Sequence, residues 1–138
     1  MKKPTHPKVP AEPQCATHFG QLPTEICQSV SDVLARVGDK WSLLTIAMLA
    51  QGSMRFTELK RSLGAISQKV LTSTLRGLER DGYVLRTVTP TIPPRVDYEL
   101  TALGKDVLPP VGDLARWAVD NRRRVEAARA EFDGRGPA

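Results

Sequence analysis

Cysteine and histidine, the side chains best suited to nucleophilic and metal chemistry, occur twice each, as Cys15 and Cys27 and as His6 and His18. No two cysteines form a CxxC pair, and both histidines precede the first helical pattern. There is also no Gly-rich phosphate loop and no nucleophile and base at a recognisable spacing. Catalytic residues, metal ligands and a cofactor are therefore all expected to be absent. The residues that could do something else are Ser67, Gln68, Lys69, Thr72, Ser73, Arg76 and Arg80. Lysine and arginine meet phosphates or guanine edges, and serine, threonine and glutamine serve either backbone or bases, so the chemistry on offer is recognition of a nucleic acid. With Leu71 at the centre of a buried helix face, Leu75 and Leu78 fall on the same side. Lys69, Ser73, Arg76 and Arg80 fall opposite, with Thr72 on the flank. Glu79, the only carboxylate of this helix, falls near the boundary. An ordinary solvated helix face is the alternative for such a set, and the surroundings decide between the two.

The elements that must position these side chains lie between Met54 and Leu100. Phe56, Leu59 and Leu63 repeat at helical spacing, as do Val70, Leu71, Leu75 and Leu78 after a break at Gly64-Ala65-Ile66. Ser67 supplies a side-chain oxygen for the start of the second helix, and Asp81-Gly82 supplies a residue that tolerates the left-handed conformation after its end. Tyr83 to Val88 is rich in strand formers, and Arg95 to Leu100 alternates polar and apolar, which predicts a hairpin. Its connection, Thr89-Pro90-Thr91-Ile92-Pro93-Pro94, is too long and too rich in proline for a two-residue turn and projects as a stiff loop. Ser53-Met54-Arg55 is an extended segment suited to pair as a third strand beside that hairpin. The order predicts an α+β, mainly α fold, a winged helix-turn-helix. Arg55, Arg80 and Arg95, the last at the base of the wing loop, are placed for DNA backbone contacts.

Taken in order, residues 1–23 hold Pro4, Pro7, Pro10, Pro13 and Pro23 among polar and basic residues, and read as a flexible tail. Thr24 can cap a first helix striped by Ile26, Val30, Val33, Leu34 and Val37. Asp39 can cap a second helix, Lys40 to Gln51, whose Trp41, Leu43, Leu44, Ile46, Ala47, Met48 and Leu49 suggest core packing. Thr101 can cap a helix that places Leu103, Val107 and Leu108 inside, and Pro109-Pro110 must break or kink it. The apolar pattern resumes at Val111, Leu114, Ala115, Trp117 and Ala118 and runs through a charged extension to Phe132. A winged domain has little core left for this stripe, so the added N- and C-terminal helices are expected to form the interface of a homodimer. The expected layout is a tail over 1–23, a DNA-binding domain with dimerisation helices over 24–120, and a charged helical extension with a frayed end over 121–138. Arg122-Arg123-Arg124 reads as a solvated face.

A net charge of +5 and a pI near 9.6 favour a polyanionic partner weakly. The distribution says more, because between Arg55 and Arg76 the basic residues Arg55, Lys60, Arg61, Lys69 and Arg76 face Glu58 alone. No apolar run reaches the length of a membrane span and the polar N-terminus lacks a signal-peptide core, so the expected location is cytoplasmic, with no membrane partner and with reduced cysteines.

Gly38-Asp39-Lys40-Trp41-Ser42-Leu43-Leu44, Arg55 to Lys60, Ile66 to Thr72, Leu75 to Gly82 and Pro93 to Thr101 resemble, in order and spacing, the successive motifs of the HxlR-type family. The resemblance spans roughly Ile26 to Trp117. It implies a bacterial or archaeal, dimeric, winged helix-turn-helix transcriptional regulator whose second motif helix is the reader. Some members of that family use a cysteine at the start of the first helix as a thiol sensor. Cys27 stands near that place, one residue further from Trp41 than the pattern has it and followed by Gln28 where proline is usual. A half-buried structural cysteine is the other reading of Cys27.

The expected function is a sequence-specific regulator, most simply a repressor, that occupies an inverted-repeat operator in double-stranded DNA as a homodimer. Lys69, Thr72, Ser73 and Arg76 are expected at base edges, with Ser67 and Gln68 at the helix start. Its signal would be an oxidant or electrophile acting on Cys27, or a small-molecule effector between the dimer helices. The alternative class is a winged-helix protein-interaction module without sequence-selective DNA binding.

Overall fold

In the computed structural model, Ala16–Thr17, Gly20–Gln21 and residues 24–137 are described. Most of the expected tail, with His6, Cys15 and His18, lies outside them. The chain divides into two units, residues 1–39 and 40–138. In the first, β1 (Ala16–Thr17) pairs antiparallel with β2 (Gly20–Gln21), and α1 (Thr24–Val37) follows. Glu25 in the first turn of α1 and Arg36 in the last both complement the helix dipole. Ile26, Val33 and Leu34 of its apolar stripe are exposed, whereas Cys27 is 7% exposed.

The second unit holds the helix pair and the three-stranded sheet. It contains α2 (Lys40–Leu49), β3 (Met54–Arg55), α3 (Phe56–Leu63), α4 (Gln68–Arg80), β4 (Val84–Thr89), β5 (Arg95–Leu100), α5 (Ala102–Asp106) and α6 (Leu108–Gly134). The three strands form one antiparallel sheet in the order β3-β5-β4, so the segment before α3 is the third strand that its extended sequence suggests. Tyr98 faces Met54 on one side and Arg86 on the other, and Asp97 likewise lies between Arg55 and Thr87.

Burial follows period more than hydrophobicity. Ile46 and Leu49 of α2, Leu59 of α3, Ile66 of the turn, Leu71, Leu75 and Leu78 of α4, and Tyr83, Val84, Tyr98 and Leu100 of the hairpin form the core. Each such side chain contributes about 1.5–3 kcal/mol of transfer free energy. Glu58 Oε2 accepts from the Arg55 amide at 3.2 Å and so helps to start α3. Ser67 caps α4 as its sequence position predicts, its hydroxyl accepting from the Val70 amide at 3.1 Å. After α4, Gly82 adopts φ +85°, a conformation that a side chain would strain.

Around the core, Trp41, Leu44, Val70 and Leu103 are more open than their type suggests. The inner face of α2 is Ser42, Thr45, Ile46 and Leu49, which leaves Trp41 half-buried and Leu44 exposed. The small residues allow close approach, and Thr45 Oγ1 donates to the Trp41 carbonyl at 2.7 Å, so burying its hydroxyl leaves no unsatisfied group. Val70 is 40% exposed, one position outside the arc that Leu71, Leu75 and Leu78 define. Leu103, expected inside, is also exposed on α5.

Between α5 and α6 the chain breaks at Val107, and Pro109 and Pro110 occupy the first turn of the new helix, where a missing amide hydrogen costs nothing. The expected break occurs, and beyond it α6 runs 27 residues without interruption and has no buried residue. Trp117 and Phe132 are 58% and 72% exposed.

The start of α5 is locked to the end of α4. The Thr101 amide donates to the Tyr83 carbonyl at 3.0 Å, the Thr101 hydroxyl donates to the Gly82 carbonyl, and the Gly104 amide donates to the Thr101 hydroxyl at 3.1 Å. A Cβ on Gly104 would come within 2.2 Å of the Tyr83 carbonyl oxygen, a backbone atom that cannot swing aside. Gly104→Ala is therefore expected to lower unfolding free energy by about 1–3 kcal/mol, measured by urea denaturation. A midpoint equal to that of the parent protein would show that the α5 contact is looser than this.

Candidate nucleic-acid interface

Because Leu71, Thr74, Leu75, Gly77 and Leu78 are buried, the remaining positions of α4 are turned outward. Gln68, Lys69, Thr72, Ser73 and Arg76 line one shallow concavity on that surface. These are five of the residues that their types and spacing single out, and the fold brings them together with no carboxylate among them. Ser67 sits at the start of the same face, its oxygen engaged as the cap acceptor and its O–H left as a donor. Arg80 is exposed one turn beyond Arg76, at the far end of α4.

Arg55 and Arg95 are placed differently. Strand alternation puts Met54, Tyr98, Arg86 and Val84 on the sheet face that meets α4, and puts Arg55, Asp97, Arg95 and Thr87 on the other. Arg95, opposite Thr89 at the loop end of the hairpin, is bound by its Nε to Asp97 Oδ2 at 2.9 Å. A phosphate reaching Arg95 must compete with that carboxylate. The wing loop between them is closed on itself, with the Thr91 amide donating to the Thr89 carbonyl at 2.8 Å and the Thr91 hydroxyl donating to the Pro93 carbonyl at 2.9 Å. Its tip residue Ile92 is fully exposed.

One cation escapes the sequence reading. Arg86, inside the first strand of the hairpin, lines a smaller, more enclosed crevice with Thr72, Leu75, Arg76 and Glu79 of α4 and Tyr98 of β5. Alternation along Tyr83 to Val88 gives its face of the sheet but not the helix that this face meets. Cys27 is buried in the first unit and belongs to neither cluster. Among the described residues, no helix is long and apolar enough to cross a membrane.

The model of the HxlR-like helix-turn-helix family matches residues 36–126, which include every element of the sheet, α3 and α4. The uncharacterized HTH-type transcriptional regulator YtfH of Escherichia coli (strain K12) is 40% identical over 112 residues, covering 81% of this chain and 88% of its own length. Among solved structures, the reduced form of the redox regulator HypR superposes with a TM-score of 0.67 at 36% identity, covering 72% of this chain and 98% of that one. The reduced form of the transcriptional regulator YodB of B. subtilis superposes with a TM-score of 0.61 at 33% identity, covering 67% and 90%. The helix pair, the three-stranded wing and these matches agree, and the chain belongs to the HxlR-like helix-turn-helix family of winged helix-turn-helix transcriptional regulators.

Proposed function

We propose that the chain binds an inverted-repeat operator in double-stranded DNA as a homodimer and regulates transcription by occupying it. The observation that carries this reading is the outward face of α4, where Gln68, Lys69, Thr72, Ser73 and Arg76 share one concavity free of acids. An α-helix fits the major groove, and these side chains match the donor and acceptor patterns of base edges there. Arg55, Arg80 and Arg95 serve as backbone contacts, with Arg95 exchanging Asp97 for a phosphate. An interaction module without DNA selectivity would have no use for an acid-free face of this composition.

The homodimer is supported by apolar surface that the single chain leaves open, namely Leu114, Trp117, Val119 and Phe132 on α6 and Ile26, Val33 and Leu34 on α1. In this reading residues 24–120 are the DNA-binding domain with its dimerisation helices, and 121–138 extend α6. Two-fold symmetry then sets two reading helices about one duplex turn apart.

A second reading concerns the signal. HypR, which this chain resembles, is a redox regulator solved in oxidised and reduced forms. That likeness favours a thiol switch at Cys27. The burial of Cys27 requires the region around it to open before an oxidant arrives.

Three outcomes are expected. Arg76→Ala should cost about 1–3 kcal/mol on the operator and relax discrimination against a scrambled duplex, whereas Arg95→Ala should weaken both duplexes alike and reduce the salt slope by about one. Fluorescence anisotropy across a salt series on both duplexes reads these effects, and indifference of both variants would remove α4 from the groove. Replacing Leu114 and Trp117 together by aspartate should shift sedimentation from dimer to monomer and abolish operator binding. A monomeric parent protein would defeat the two-fold operator. Diamide treatment should release the parent protein from the operator and leave Cys27→Ser bound; equal behaviour of the two would send the search for a signal to small ligands.

A further inference from the structure

The crevice between α4 and the hairpin is built from two sides. Thr72, Leu75, Arg76 and Glu79 come from the helix, and Arg86 and Tyr98 come from neighbouring strands, directly opposite each other in register. Arg76 and Arg86 thus converge from elements separated by the Gly82 turn. Among the described residues no ion pair engages Arg76, Arg86 or Glu79, whereas Arg95 pairs with Asp97 and Arg122 with Glu126 in the same unit. Two guanidiniums against one carboxylate leave a surplus of positive charge with no ion-pair partner among the described residues. The hydroxyl-bearing Thr72 stands in the same lining, and Leu75 and Tyr98, both buried, close its floor.

The shape of a duplex says what could fill this place. Major and minor grooves are separated by a sugar-phosphate strand. A protein that sets a helix in one groove and a wing against the next must let that strand pass between them. In this chain the passage between helix and wing is the crevice of Arg76 and Arg86. We infer that this crevice is a clamp for one DNA backbone phosphate in each half-site, with Arg86 its principal cation and Arg76 shared between that phosphate and the base edges. The inference rests on the DNA-binding reading and adds to it a contact on the wing strand itself. Arg86 is held by the sheet, so the clamp fixes the angle between α4 and the duplex. It is a positioning contact, read through the phosphate and blind to sequence.

The test uses the full chain and a duplex selected by it from a randomised pool, with a scrambled duplex beside it. The parent protein, Arg86→Ala and Arg86→Lys are titrated across a salt series, and phosphates required for binding are mapped by ethylation interference. Arg86→Ala is expected to reduce the slope of log K against log salt by about 0.9, the amount for one phosphate. The ratio of operator to scrambled affinity should be unchanged, and one ethylation-sensitive phosphate per half-site should disappear. Arg86→Lys is expected to restore the slope and the sensitive phosphate, which a merely structural role would not do. An unaltered ethylation pattern in Arg86→Ala overturns the clamp, and so does a fall in the operator ratio, which would make Arg86 a base contact. Should Arg86→Ala fail to match the parent melting curve, Arg86→Gln carries the same comparison. Stabilisation of the DNA-free chain by inorganic phosphate over chloride at equal ionic strength, lost in Arg86→Ala while the DNA pattern persists, would assign the crevice to a free anion instead. If the parent protein selects no duplex, the regulator reading falls first. If it does and the pattern persists in Arg86→Ala, only the clamp falls.

Discussion

The rotation of α4 about its own axis governs which of its side chains this chain presents to a partner. Leu71, Leu75 and Leu78 are held at no more than 2% exposure behind that helix, and truncating any one of them would cost about 2–5 kcal/mol. A rotation of one residue, near 100°, would bury Arg76 or Thr72 and expose a leucine. The burial term is large enough to forbid that. Side chains of α2 and the hairpin complete the same core, so the orientation of the outward face is decided by apolar packing on the opposite side. Ser67 and Gly82 then fix where the helix starts and ends, and with that how far its exposed face reaches.

Much of this was legible in the sequence because it depends on local chemistry. The helix pair followed from period, its ends from Ser67 and Asp81-Gly82, the stiff wing from Pro90, Pro93 and Pro94, and the third strand from the extended run before Phe56. The five residues lining the concavity on α4 were likewise readable, since a helix fixes the angular relation of its own side chains. What was not legible depends on partners distant in sequence. Period does not say that Ser42 and Thr45 would be buried while Leu44 stayed open, because that depends on how closely neighbouring helices approach α2. Alternation gives a face to Arg86 without revealing that α4 meets it. Leu103 and Val70 show the same limit, since an apolar residue near a helix end is buried only if something lies over it.

The chain also shows how a small regulator divides labour between charge and packing. Its cations are spread over both faces of the sheet and along α4, while the one acid of α3, Glu58, is occupied with the start of that helix. Binding that depends on such cations is steered at long range and weakened by salt. The apolar surface of α6 has no such range and acts only on contact. Encounter with DNA and assembly of subunits, on the regulator reading, therefore respond to different solution conditions.

The open face of α4 has one more consequence, which concerns ancestry. Lys69, Thr72, Ser73 and Arg76 contribute little to the core, so replacing them leaves the scaffold's stability almost untouched. On the DNA-binding reading, a handful of codon changes on that one surface after a gene duplication could redirect a copy to a new promoter while the inherited scaffold carried on folding. A scaffold arranged in this way can seed many paralogues that differ in target and share a core.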